Sequence, residues 1–138
     1  MSAKDTIHDA VKHALIKDGW TITDDPYTLE YEDATVFIDL GAERIIAAER
    51  GNEKIAVEVK SFIGHSAIHE FEQALGQYIL YLNFLEEVEP DRKLYIAISD
   101  TVHENIFCRK SIQFLIRKNQ ISLIVVNITR EEVIAWTS

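Results

Sequence analysis

Apolar residues recur at helical spacing near the start of the chain and at strand spacing through much of the remainder. Ile7, Ala10, Val11, Ala14 and Leu15 fall on one stripe, which predicts a helix over 4–18 ended by Gly19. Residues 20–23 then start an extended segment, and Asp24-Asp25-Pro26 makes a turn. Residues 35–40 form a second apolar run, which ends in Asp39. The runs 44–49 and 54–60 flank Arg50-Gly51-Asn52-Glu53, and a Gly-Asn pair between two strand-like runs predicts a hairpin. A long amphipathic helix comes next, from Ser66 to about Glu87. Lys93 to Ile98 and Ile121 to Val126 are apolar without alternation, the pattern of strands covered on both faces. Ser99 or Asp100 caps a helix expected to run to about Lys118. Thr129-Arg-Glu-Glu132 fits a capping box and predicts a short final helix offering Val133, Ile134 and Trp136 to the core. Helices alternating with strands in the second half predict a mixed α/β layer fold with right-handed crossovers.

The 138 residues suit one domain over 1–138, and an apolar fraction of 47% leaves enough material for a core. The sequence has no repeat, low-complexity tract or Pro/Gly/Ser linker. Its most apolar run, Leu75 to Leu85, is far short of the ~20 residues a membrane span needs, and the N-terminus has no apolar signal core. The one cysteine, Cys108, allows no intrachain disulfide and fits a reducing compartment. A soluble cytoplasmic protein is the expectation. The formal charge of −9 changes the functional picture, because a strongly acidic chain is a poor generic binder of phosphate backbones. Any nucleic-acid role needs a local basic surface, a bound metal or a partner.

The stretch IAVEVKSF, residues 55–62, carries the candidate chemistry. Side chains alternate along a strand, so Glu58 and Lys60 share one face and Val57 and Val59 the other. Asp39 precedes the hairpin and can converge with Glu58 at one sheet edge. Two converging carboxylates repel each other unless a cation lies between them. A hard divalent ion such as Mg²⁺, or Mn²⁺, answers this, taking one or two carboxylates plus waters and phosphate oxygens. Lys60 adds a positive charge that can orient a water or stabilise a crowded phosphate. Together these groups suit phosphodiester hydrolysis.

An Asp, a hairpin and then Glu-x-Lys resembles the PD-(D/E)xK nuclease superfamily, which implies a restriction-endonuclease-like core. The order helix, strands bearing Asp39 and Glu58-x-Lys60, helix and further strand is similar too. In the long helix, Gln77-Tyr-Ile-Leu-Tyr81 is similar to the Gln-x-x-x-Tyr motif of the RecB-like branch, and at i, i+4 the two side chains share a face. Two features depart from the pattern. Ile38 rather than proline precedes Asp39, and the first helix has no glutamate, leaving Asp5, His8 or Asp9 as substitutes. The whole chain more narrowly resembles XisH, the fdxN element excision controlling factor family. The blocks AKDTIHDAVKHALIKDGWTITDDP, DLGAERIIAAERGNEKIAVEVKSF and FEQALGQYILYL carry that resemblance. It implies a role in programmed excision of a DNA element and a small companion protein, XisI. Analogy with nucleases of this fold adds a homodimer.

Other candidates read as ordinary structure. Asp91-Arg92-Lys93 repeats the acid-x-Lys spacing but lies ahead of a strand, and it reads as loop. His65 and His69 have a zinc-compatible spacing without a third ligand, and His8 and His13 do not share a face. Cys108 is expected in a helix beside Arg109 and Lys110, as a packed or idle thiol. Arg109, Lys110, Arg117 and Lys118 form the densest basic segment and read as a solvated face. Two functions fit these residues. One is a metal-dependent DNA endonuclease with Asp39 and Glu58 on the metal, Lys60 at the nucleophile, and Gln77 and Tyr81 organising the site. The other is a catalytically silent nuclease-fold module that regulates excision through XisI, DNA or the recombinase.

Overall fold

Strict alternation along the strands sends apolar side chains to both faces of one sheet, and helices cover each face. The computed structural model describes residues 3–36 and 45–137. The elements are α1 (Ala3–Lys17), β1 (Thr21–Asp24), β2 (Leu29–Tyr31), β3 (Ala34–Val36), β4 (Ile45–Arg50), β5 (Glu53–Val59), α2 (Ala67–Val88), β6 (Arg92–Ser99), α3 (Asp100–Asn105), α4 (Lys110–Lys118), β7 (Leu123–Asn127) and β8 (Glu132–Thr137). Six strands form a mixed sheet in the order β1-β4-β5-β6-β7-β8. Its centre, β5-β6-β7, is parallel, and both flanks are antiparallel. The expected mixed α/β class is the observed one. No helix among the described residues is long and apolar enough to cross a membrane.

One face packs Ile46, Val57, Val59, Ala97 and Ile124 against Val11, Ala14 and Leu15 of α1. The other packs Ile45, Ala56, Leu94, Ile96 and Ile98 against Phe71, Ala74, Tyr78 and Leu85 of α2, with Phe107 and Ile112 beside them. The element ends obey local chemistry. Gly19 takes a φ of +90° after α1, a left-handed position that suits a residue without Cβ. The hairpin is present as read, β4 pairing with β5 around Gly51 at φ +60°. Ser66 Oγ caps α2 by accepting from the His69 N–H.

Several expectations change. The helix expected to reach Lys118 divides into α3 and α4, because Phe107 turns into the core between them. Cys108 therefore sits in the connection, exposed, and not in a helix. The final helix is instead strand β8. Val133 and Trp136 are spaced as on a helix, but a bulge between the pairs Val125–Ala135 and Val126–Val133 brings both to the α1 side. Ile134 stays exposed there, and Glu131 turns the chain at a φ of +54°. The hairpin β2–β3 was not anticipated. Arg92 and Lys93 belong to β6 and not to a loop, while Asp91 remains in the turn before it.

Arg92 is buried and anchors that corner. It donates to the Ile55 carbonyl (2.9 Å) and to Glu89 Oε2 (3.1 Å), and its guanidinium lies 5.0 Å from the Tyr27 ring centre. Tyr27 in turn donates to Glu89. On the opposite face Asp25 accepts from His8 Nε2 (3.0 Å) and from Lys12 (3.0 Å). Burial alone would raise both carboxyls. For Asp25 the bonds and charges of His8 and Lys12 win, and for Glu89 those of Tyr27 and Arg92, so each lies below its ordinary value of 3.8 or 4.5. A carboxylate held low in the fold stabilises it above the unfolded-state pKa and loses that contribution as pH falls through the folded value. The thermal midpoint should therefore be flat down to about pH 5 and fall steadily below about pH 4. Asp25→Asn and Glu89→Gln should lower the plateau and flatten the acid limb in a pH series of melting curves. An unchanged acid limb in the double variant would remove both groups from the account.

Candidate functional site

The parallel pair β5–β6 ends where its crossover helix begins, and open α/β sheets bind ligands at this carboxyl end of the strands. Ala56, Glu58 and Lys60 alternate onto the α2 side, and the Lys60 N–H continues the ladder to the Ala97 carbonyl (3.0 Å). The neighbours of Glu58 in the sheet are Ile45 and Ile96. A carboxylate thus occupies a row that packing alone would fill with an aliphatic side chain. It is fully buried. Lys60 Nζ lies 3.9 Å from Glu58 Oε2, and its side chain is 13% exposed, so the ammonium closes the site from the solvent side.

The long helix completes the group. Lys60 Nζ donates to Gln77 Oε1, one turn before Tyr81. Tyr81 is buried, and its phenol is raised above the ordinary 10.0, first by burial and then by the Glu58 charge. The Glu58 charge is thus near enough to act on the phenol, and the hydroxyl keeps its proton near neutral pH. Four of the five residues singled out in the sequence, Glu58, Lys60, Gln77 and Tyr81, therefore come together. Asp39 lies outside the described residues.

The first-helix candidates divide. His8 is buried and bonded to Asp25, Asp9 is half-buried, and nothing is described for the side chain of Asp5. His65 and His69 are both exposed, and His65 precedes the helix, so they do not share a helical face. His13 bonds to Glu131 (2.7 Å). Arg117 and Lys118 are exposed in the last turn of α4, where they favour the helix dipole. Among the described residues no three His, Cys, Asp or Glu side chains gather to hold a metal.

Sequence reasoning missed the support behind Lys60. Phe62 adopts φ +54° and sets its ring edge-on to Phe107 at 5.2 Å, and Phe107 meets Phe71 at 5.8 Å. The adjacent Ser61 is buried as well. The only signal was position, an aromatic two residues after Lys60.

The fold and this corner define a class: a small mixed α/β domain with an acid and a lysine at the end of a central strand, faced by Gln and Tyr from the crossover helix. The family model XisH, described as XisH protein, matches residues 1–134. The chain belongs to the XisH family. An XisH family protein from Nostoc punctiforme PCC 73102 is similar at 40% identity, over 97% of this chain and 100% of that one, with a TM-score of 0.90. An fdxN element excision controlling factor protein from Anabaena variabilis is similar at 43% identity, over 97% and 99%, with a TM-score of 0.89. A search of curated proteins finds no match.

Proposed function

We propose that this chain is a metal-dependent DNA endonuclease of PD-(D/E)xK type, with a restriction-endonuclease-like core, acting in the controlled excision of a DNA element. One observation carries the reading: Glu58 is kept fully buried between Ile45 and Ile96, with Lys60 3.9 Å away and held by Gln77. A buried ion pair is a weak source of stability, so its retention points to use. The relative from Anabaena variabilis, described as an fdxN element excision controlling factor, supplies the biological setting.

The donor set suits a hard cation, since Glu58 supplies carboxylate oxygens and Asp39 is the second acid in the sequence. When bound, Mg²⁺ or Mn²⁺ would supply Lewis-acid charge for the scissile phosphate and an acidified water. The protein's own groups do the rest. Lys60 presents an ammonium to the attacking water or the phosphate, Gln77 fixes where that ammonium lies, and Tyr81 offers a neutral O–H beside Glu58. DNA is the substrate, XisI the companion, and a second copy would allow both strands to be cut. The cytoplasm is the setting.

The charge of −9 favours a second reading, a silent nuclease-fold module that regulates excision through XisI. Cleavage of supercoiled and branched DNA with Mg²⁺ or Mn²⁺, with and without XisI, separates the two. Metal-dependent cleavage is expected, reduced about 100- to 1000-fold in Lys60→Ala. Folded protein that cleaves nothing under any of these conditions would leave the regulatory module standing.

A further inference from the structure

The outer face of α2 serves neither the core nor the site. At 100° per residue its centre, at Ile68 and Ile79, lies on the far side of the helix from Gln77 and Tyr81, and its edge at Leu80 borders Gln77. Ile68, Ile79 and Leu80 stand on it at 48%, 42% and 45% exposure, an apolar stripe on a helix whose other side already fills the core. Gly76 lies in the middle of that stripe. A Cβ there would meet no atom of the described residues within 4 Å, so nothing among them requires a glycine. A mid-helix glycine costs about 1 kcal/mol relative to alanine, and here it lowers the surface enough for another backbone to approach.

The charges that the helix itself carries beside the stripe have one sign. On this side the helix carries Glu72, Glu86 and Glu87, Glu70 lying instead on the side of Gln77 and Tyr81, and it has no Lys or Arg. Glu86 and Glu87 are in its last turn, where the negative end of the helix dipole disfavours them. Among the described residues Glu72, Glu86 and Glu87 enter no ion pair.

We propose that this face docks a positively charged partner protein that presents an apolar helix to Ile68, Ile79 and Leu80. A second copy of the chain would set the same three carboxylates against each other, on bodies each carrying −9. A cationic helix would neutralise them, cover the stripe and pack close over Gly76. If the DNA reading holds, this deepens it. The partner brings positive charge beside the helix that carries Gln77 and Tyr81, and supplies the field that the chain itself lacks for a polyanion.

The test uses no DNA, so it stands or falls apart from nuclease activity. The probe is a synthetic helical peptide of about six turns with leucine on one face and lysine elsewhere, titrated into the full chain. A second peptide keeps the leucine face and replaces each lysine with glutamate. The lysine peptide should bind in the micromolar range, and the glutamate peptide should not bind. Ile79→Ser/Leu80→Ser and Glu86→Gln/Glu87→Gln should each weaken binding about 10-fold or more, with unchanged melting, since all four side chains are exposed. Glu104→Gln, on exposed α3, should leave binding unchanged. Equal weakening by Glu104→Gln would reduce the effect to net charge and overturn the proposal. So would a wild-type dimer in sedimentation that Ile79→Ser/Leu80→Ser dissociates, since the occupant would then be a second copy.

Discussion

Glu58→Gln should lower metal-dependent cleavage by about 100- to 1000-fold while leaving the protein as stable as before, or more so. The substitution keeps the shape and removes only the charge. Its site is flanked by Ile45 and Ile96 and fully buried, so the carboxylate has lost its water, and that loss costs several kcal/mol per buried ion. Lys60 at 3.9 Å offsets part of this, at a distance too long for a direct hydrogen bond. Gln77 still holds Lys60 in the variant. A phenol titration gives an independent readout. The Glu58 charge is one of two causes holding Tyr81 above 10.0, so its removal should bring the alkaline transition down while burial keeps it elevated. Full cleavage by Glu58→Gln, together with a lower melting point, would make Glu58 a structural residue and end the nuclease assignment.

The site was legible because two periodicities carry it. A strand fixes that residues two apart share a face, and a helix fixes that residues four apart do, so Glu58/Lys60 and Gln77/Tyr81 could each be paired in advance. That the pairs meet requires the parallel β5–β6 crossover to lay α2 over that face of β5, and the strand-helix-strand order supplied it. The strut of Tyr27, Glu89 and Arg92 was not legible. Its members come from two distant stretches of chain, Tyr27 in one and Glu89 with Arg92 in the other, and Arg92 comes after Asp91 in a triplet that by spacing alone looks like a motif or a loop. The end of the chain misled for a specific reason. Capping-box chemistry at Thr129–Glu132 and a three-residue apolar spacing both suggest a helix, and only pairing with β7, with its bulge, turns them into a strand. The division between α3 and α4 was hidden likewise, because Phe107 leaves the helical path for a tertiary partner.

Phe107→Ala should destabilise the fold by about 3–5 kcal/mol, the largest loss expected of any single truncation at this corner. The ring is 1% exposed and lies between Phe62 and Phe71, so its removal forfeits burial and two edge-to-face contacts and leaves a cavity under the segment after β5. Phe62 is held at φ +54°, a conformation that a bulky residue keeps only when its surroundings impose it. With its prop gone, Phe62 should relax, and Lys60, two residues earlier, should lose its fixed place beside Gln77. Denaturant unfolding at constant m measures the first effect. Phe107→Leu separates the second, because it keeps most of the volume and should cost under about 1.5 kcal/mol. If Phe107→Leu stays folded yet cleaves DNA markedly more slowly with unchanged metal affinity, the aromatic prop positions Lys60. If Phe107→Ala costs less than about 1 kcal/mol, the corner is looser than packed rings allow, and the strain at Phe62 has no support from this side.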